Sequence, residues 1–217
     1  MTVTDDDAAF GASVDSMLRT LGRYGIPHGP VLDAMARVPR HLFIPPEFRN
    51  TCDPYGDHPC PIGHGQTVSQ PFIVAYMAGL LGVSPGMRVL EVGTGCGYLT
   101  AVLLEMGVAV FGIEIIGFFA EHAVRTLRSL GYSGFRIVTG DGSSGWPEGG
   151  SFDGILVSCA PRSIPESLVE QLGEGGRIVI PVGPPEEQRL VVIVKRGGRA
   201  VQTVDIPVRF VPMVASI

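Results

Sequence analysis

The sequence predicts an α/β fold: a doubly wound, mostly parallel sheet with an antiparallel C-terminal strand, fronted by an N-terminal helical layer. Three observations carry this. From Arg88 onward, short apolar runs alternate with helix-prone segments, the pattern of a parallel sheet whose crossovers are helices. The first of these runs breaks into alternating glycines at Val92-Gly93-Thr94-Gly95-Cys96-Gly97, where the lack of Cβ atoms lets the backbone turn sharply and lie flat against a ligand. The last two runs, Leu190 to Lys195 and Val201 to Val208, flank Gly197-Gly198, the composition of a hairpin turn.

The elements follow in order. A helix is predicted near Ala8 to Leu21 and another near Val31 to Val38, where Val31, Leu32, Met35 and Val38 fall at helical spacing and Asp33, Arg37 and Arg40 form a polar face. Ile44 to Gly65 is rich in Pro and Gly and reads as irregular. Phe72 to Leu81 is an apolar helix, and Ser69 stands before it as a candidate N-cap. Strands are then predicted at Val89 to Val92, Ala109 to Glu114, Phe135 to Thr139, Phe152 to Ser158 and Arg177 to Pro181, with helices at Tyr98 to Met106 and Ile164 to Leu172. The whole chain, 1–217, reads as one domain in which 1–71 is a layer contributing to the site and 72–217 is the ligand-binding core.

Composition excludes several classes. Hydrophobic residues make up 45% and charged residues 17% of the 217, with a mean hydropathy of +0.31, far from the profile of a disordered chain. The longest uncharged run that is apolar throughout, Phe72 to Val83, contains glycines and falls short of the roughly 18 residues a membrane span needs. Asp5-Asp6-Asp7 stands where a signal peptide would carry positive charge, so a cytoplasmic protein without a membrane partner is expected. A net charge of −5 and scattered arginines argue against nucleic acid, and a monomer is expected. The four cysteines, Cys52, Cys60, Cys96 and Cys159, form no C-x-x-C pair and no zinc-finger spacing. The expectation is four reduced thiols and no metal.

The glycine spacing narrows the ligand. A dinucleotide fingerprint, G-x-G-x-x-G, would place its third glycine at position 98, which is Tyr98; here it comes one residue early, at Gly97. G-x-G-x-G is the loop expected for S-adenosylmethionine, whose single nucleoside carries no pyrophosphate; a plain glycine-rich βα turn is the alternative. Glu114 ends the next strand about 20 residues on, where a carboxylate can accept both ribose hydroxyls. Asp141, between Gly140 and Gly142 after the third strand, could accept from an adenine amino group. Either acid alone could be an ordinary strand-end residue, but three such signals in order, each at a strand's carboxyl end, point to the cofactor.

A second site is suggested by Pro61-Ile62-Gly63-His64-Gly65-Gln66-Thr67-Val68-Ser69-Gln70-Pro71, dense in hydrogen-bonding side chains. The start of the following helix could receive a carboxylate, belonging either to the methionine part of the cofactor or to an acceptor substrate. His64 fits a turn better than a catalytic role.

These segments, with Val38 to Pro45, Gly175 to Gly183 and Phe210-Val211-Pro212 in the same order, closely resemble the protein-L-isoaspartate O-methyltransferases from about Val31 to Met213; Gly63-His64-Gly65-Gln66-Thr67-Val68-Ser69-Gln70-Pro71 is the most specific stretch. The resemblance implies a Rossmann-like class I methyltransferase fold. It implies methyl transfer from S-adenosyl-L-methionine to the α-carboxyl of L-isoaspartyl residues in damaged proteins and peptides, with repair through a succinimide. It places Ser69 as the active-site serine. Gln66, Thr67, Glu91, Gly93, Thr94, Gly95, Cys96, Gly97, Glu114, Asp141 and Gly142 fall on the cofactor side, and Ile62, His64, Val211 and Val214 on the substrate side. The chain departs from the family at Cys60, Cys96 and Cys159, where Leu, Ser or similar, and Ala are expected, and at Ile115 to Phe119, which is unusually apolar. Two alternatives remain open: a specialised homologue that methylates aspartate in a dedicated peptide to form an aspartimide, and a cofactor-binding module without turnover.

Overall fold

Helix α1 (Asp5–Arg23) opens the chain and packs with α2 (Pro30–Arg37), whose first position is a proline with φ already set for a helix. A 3-10 turn (Arg40–Phe43) and the short α3 (Pro46–Arg49) lead to a small hairpin of β1 (Cys60–Gly63) and β2 (Gln66–Val68). This is a computed structural model, and it describes residues 5–214, with side chains from Gly11 onward. The hairpin corrects the sequence reading of Ile44 to Gly65 and the block after it as irregular. Its strands are only four and three residues long, too short for an alternating pattern to register.

The large sheet holds β3 (Arg88–Val92), β4 (Ala109–Glu114), β5 (Phe135–Thr139), β6 (Phe152–Val157), β7 (Leu172–Val182), β8 (Gln188–Arg196) and β9 (Arg199–Val208), in the order β5-β4-β3-β6-β7-β8-β9. The first five are parallel; β8 and β9 run antiparallel as the glycine turn predicted. Helices α4 (Pro71–Leu81), α5 (Tyr98–Glu105), α6 (Gly117–Ser129) and α7 (Glu166–Glu170) cover it. The chain leaves β3 toward β4 on one side and returns to β6 on the other, so the strand order reverses beside β3. Ligands of open α/β sheets bind at such a reversal, outside the strands' carboxyl ends.

Two buried clusters occupy the two faces of the sheet, as alternation along a strand requires. Val89 joins one with α1, α2, α4 and α5; Leu90 and Val92 join the other with Ile155, Val157, Trp146 and Leu168. Two boundaries differ from expectation. β7 begins at Leu172 and passes through Gly175-Gly176, and the predicted Ile164 to Leu172 helix contracts to α7, because Pro165 stands at its N-cap. A third difference is chemical. Cys52 and Cys60 form a disulfide, with Cα atoms 5.9 Å apart, so only Cys96 and Cys159 keep the expected free thiol. Spacing alone does not reveal a pairing that depends on the turn at 53–59 folding back.

Candidate active site

The glycine loop leaves β3 with φ of +83° at Gly93, +55° at Gly95 and +88° at Gly97, a region L side chains enter only at a cost. Gly93 N–H donates to the Ile113 carbonyl at 2.8 Å, which anchors the loop on β4. Glu114 then holds it from below: Oε2 accepts from Gly95 N–H at 2.8 Å and Oε1 from Ile116 N–H at 2.9 Å. The carboxylate is thereby fixed in place, with further lone pairs left to accept. Gly112, not singled out in the sequence, makes room for this arrangement. A Cβ there would lie 2.5 Å from Thr94 Oγ1.

Glu91 is entirely buried beneath the loop. Its Oε2 accepts from Thr100 Oγ1 at 2.6 Å, whereas Oε1 has no hydrogen-bond partner among the described residues. Desolvation pushes its carboxyl up to about 8, partly offset by the Thr100 bond. A buried carboxyl with one unsatisfied oxygen on a cavity wall is suited to a cationic ligand. Cys96 is also buried, and desolvation pushes its thiol up to about 11, which disfavours the thiolate.

Ser69 follows the β1–β2 hairpin and lines the same cavity. It is not the cap of α4, contrary to the sequence reading. Pro71 at the first turn has no N–H to cap, and Asp57 takes the next donor, with Oδ1 accepting from Phe72 N–H at 2.8 Å and Oδ2 from Gln70 Nε2 at 2.7 Å. The Ser69 carbonyl accepts from Arg40 Nη2 at 2.8 Å. Its hydroxyl has no hydrogen-bond partner among the described residues and is available to a ligand. Arg40, fully buried, also donates from Nε to the Pro54 carbonyl and stacks over the Tyr98 ring 4.6 Å away.

The C-terminal segment closes the site. Ala160 N–H donates to the Val211 carbonyl and Met213 N–H to the Ala160 carbonyl, while the side chain of Gln188 clamps both backbone groups of Phe210. Gln188 escaped the sequence reading, although a glutamine at the start of an apolar strand was a signal. The cavity measures about 340 Å³.

Most of the predicted residues meet here. Ser69, Gln66, Thr67, Glu91, Gly93, Thr94, Gly95, Cys96, Glu114, Gly142, Ile62, Val211 and Val214 line the cavity; Gly97, Asp141 and His64 do not. Gly97 serves instead where α5 meets α6, since a Cβ there would come 3.1 Å from that of Ala123. Asp141 caps the 3-10 turn Gly142–Ser144 by accepting from Ser143 N–H at 2.8 Å, and it stands between two lining residues, Gly140 and Gly142. His64 occupies the hairpin turn at φ +49°, as expected, with its ring against Phe118 and Phe119. The sequence reading missed the apolar wall made by Leu99, Ile113, Ile116 and Phe119, and also Ser158 at the end of β6.

The family described as Protein-L-isoaspartate(D-aspartate) O-methyltransferase (PCMT) matches residues 12–217. The chain belongs to this family. Its relatives include the protein-L-isoaspartate O-methyltransferase of Gloeobacter violaceus, 48% identical over 201 residues, covering 92% of this chain and 96% of the relative. That of Methylorubrum populi is 50% identical over 194 residues, 89% of this chain and 90% of the relative. Among solved structures of the family, one from Plasmodium falciparum in complex with S-adenosyl-L-homocysteine superposes with a TM-score of 0.81 at 29% identity, covering 93% of this chain and 98% of that one. Another protein-L-isoaspartate O-methyltransferase gives 0.82 at 28% identity over 92% of this chain, which spans 65% of that structure's length.

Proposed function

We propose that this chain transfers the methyl group of S-adenosyl-L-methionine to the α-carboxyl of L-isoaspartyl residues in damaged proteins and peptides, starting their repair. The observation that carries the reading is that one cavity holds both the glycine loop with its two acids and the hairpin serine, in a chain of this family.

The cavity's residues fit this cofactor. Glu114 is positioned for the ribose hydroxyls, Gly140 and Gly142 with the neighbouring Asp141 for the base, and Glu91 Oε1 for the positive charge of the methionine part. When bound, the cofactor supplies an electrophilic methyl group on a cationic sulfur. The chain's own residues then have one task, alignment. The acceptor carboxylate is ionised at neutral pH, so no general base is needed. Ser69 orients it with a neutral hydroxyl, Gln66 and Thr67 line the approach, and the Val211 to Val214 segment excludes water. The methyl group that the bound cofactor would supply would pass to a carboxylate oxygen held by these residues, leaving the neutral thioether as the other product. The resulting ester closes to a succinimide by attack of the following backbone nitrogen with loss of methanol, and hydrolysis yields aspartate in part.

We further propose a cytoplasmic monomer that acts on isoaspartyl proteins and not on nucleic acid. The net charge of −5 supports the lack of a nucleic-acid partner, and no helix among the described residues is long and apolar enough to cross a membrane. Labelled methyl transfer to matched isoaspartyl, aspartyl and asparaginyl peptides tests the activity. Label on the isoaspartyl peptide alone is expected. Label on the aspartyl peptide alone would favour the aspartimide-forming alternative, and cofactor binding without transfer to any peptide would favour a non-catalytic module.

A further inference from the structure

The loop from Cys52 to Cys60 is closed by its disulfide at one end and wired to the active site at the other. Cys60 is the first residue of β1 and pairs with Val68, the neighbour of Ser69. The Pro54 carbonyl accepts from Arg40 Nε, and the same guanidinium donates to the Ser69 carbonyl, both at 2.8 Å. Asp57, within the loop, caps α4 directly after Ser69. Three separate connections therefore run from the disulfide loop to the backbone that presents the Ser69 hydroxyl.

The sulfurs have the surroundings of an exchanging pair. His58, exposed, places Nδ1 3.7 Å from Cys52 Sγ, 3.9 Å from Cys60 Sγ and 3.3 Å from the Pro59 carbonyl, and it serves the sulfurs as a proton acceptor in the tautomer that carries its proton on Nε2. The Asp53 carbonyl lies 3.7 and 3.6 Å from the same two atoms, ready to accept from the thiols when they are reduced. Cys60 is completely buried and Cys52 is 9% exposed, so an incoming reagent meets Cys52 first. The other cysteines do not compete, because burial pushes Cys96 up to about 11 and Cys159 up to about 12. His58 with the two cysteines also resembles a three-ligand metal set; in the disulfide-bonded state there is no thiolate to ligate, so a metal would compete only for the reduced state.

We propose that Cys52 and Cys60, served by His58, form a reversible thiol–disulfide exchange site that takes a small-molecule disulfide and sets how firmly Ser69 is held for the acceptor peptide. In the oxidising direction, the Cys52 thiolate attacks one sulfur of the reagent, forming a mixed disulfide and releasing one thiolate. Cys60 gives its proton to His58 and attacks the Cys52 sulfur; the second reagent thiolate leaves and takes that proton. Two protein thiols are oxidised and one reagent disulfide is reduced to two thiols. A dithiol reductant runs the sequence backward through Cys52.

The test uses the full chain equilibrated in glutathione buffers from oxidising to reducing. The exchange is read by peptide mapping, independently of methyl transfer; only the activity readout rests on the proposed function. Mapping is expected to link Cys52 to Cys60 under oxidising conditions, with Cys96 and Cys159 free. His58→Ala is expected to slow the interconversion while leaving both end states attainable. Reduction of the wild type is expected to raise KM for an isoaspartyl peptide at least about threefold with little change in cofactor affinity, as a positioning loss does. Cys52→Ser should sit at the reduced value in every buffer. No linkage under oxidising conditions, equal KM in both states, or a Cys52→Ser protein that still responds to the buffer would overturn the proposal. So would loss of the cooperative melt on reduction, which would make the bond a structural staple.

Discussion

Arg40 donates from Nη2 to the carbonyl oxygen of Ser69 at 2.8 Å, from a position with no exposed surface. Its Nε reaches the Pro54 carbonyl, so one cation joins the Pro54 loop to the Ser69 segment of the cavity wall. Among the described residues it has no ion-pair partner, and burial lowers its pKa from the usual arginine value. Arg40→Ala leaves two carbonyls unpaired and opens a void, and is expected to cost about 2–5 kcal/mol. Arg40→Lys, which keeps the charge but not the two-pronged geometry, should fold and show a raised peptide KM. Thermal melts run beside the kinetics separate the two effects.

Glu91 makes stability depend on pH in an unusual direction. Its carboxyl is raised in the folded protein to about 8 from 4.5, so the native state holds a proton that the unfolded chain has released. This contribution is therefore fully present at pH below 4.5 and is lost as pH rises through about 8. The melting temperature of the cofactor-free wild type should carry this decline, and Glu91→Gln should remove it. Because a cationic ligand favours the ionised carboxyl, cofactor affinity should rise with pH toward about 8. Calorimetry in buffers of different ionisation enthalpy should detect the accompanying proton release.

Gly112 tests the space behind the glycine loop. Gly112→Ala sets a methyl group 2.5 Å from Thr94 Oγ1 and should cost about 1–3 kcal/mol through overpacking. As Thr94 is displaced toward the cavity, cofactor affinity should fall more than peptide KM rises, which binding titrations would show.

Gln188 tests the C-terminal closure. Gln188→Leu removes both bonds to Phe210 and leaves that residue's part-buried backbone groups short of partners, at about 1–3 kcal/mol. Raised peptide KM, with the sheet intact by circular dichroism, is the expected outcome.

Much of this architecture was legible from residue order. Strands β3, β4 and β6 are buried on both faces and read as apolar runs, and the turns that follow Val92 and Arg196 announce themselves by their glycines. The glycine loop and the acids beside it were readable for the same reason: they sit at strand ends, and strand ends are local features. The opposite wall of the cavity was less so. Ser69 lines it, but the contacts around it come from Asp57 and Arg40, 12 and 29 residues earlier in the sequence. Neither contact has a periodic signature. The Cys52–Cys60 pairing was missed because it depends on a tight irregular turn, and Gln188 because its partner lies beyond a hairpin. Asp141 shows the opposite case, a residue expected at the cofactor that lies outside the cavity lining, its carboxylate engaged with Ser143.

In the proposed function Ser69 orients the acceptor and does not carry the methyl group. Ser69→Ala should therefore bind cofactor almost as the wild type does and lose about tenfold or more in kcat/KM, as loss of orientation predicts. Mass spectrometry of the wild type stopped during turnover should find Ser69 unmodified.

The most direct measurement follows a single isoaspartyl peptide, incubated with the protein and S-adenosyl-L-methionine, by chromatography that resolves it from its aspartyl isomer. The account predicts that the isoaspartyl peptide declines and the aspartyl peptide accumulates, with a methyl ester and a succinimide seen between them. An isoaspartyl peptide left unchanged by protein that demonstrably binds the cofactor would contradict it, as would methylation of the aspartyl isomer in its place.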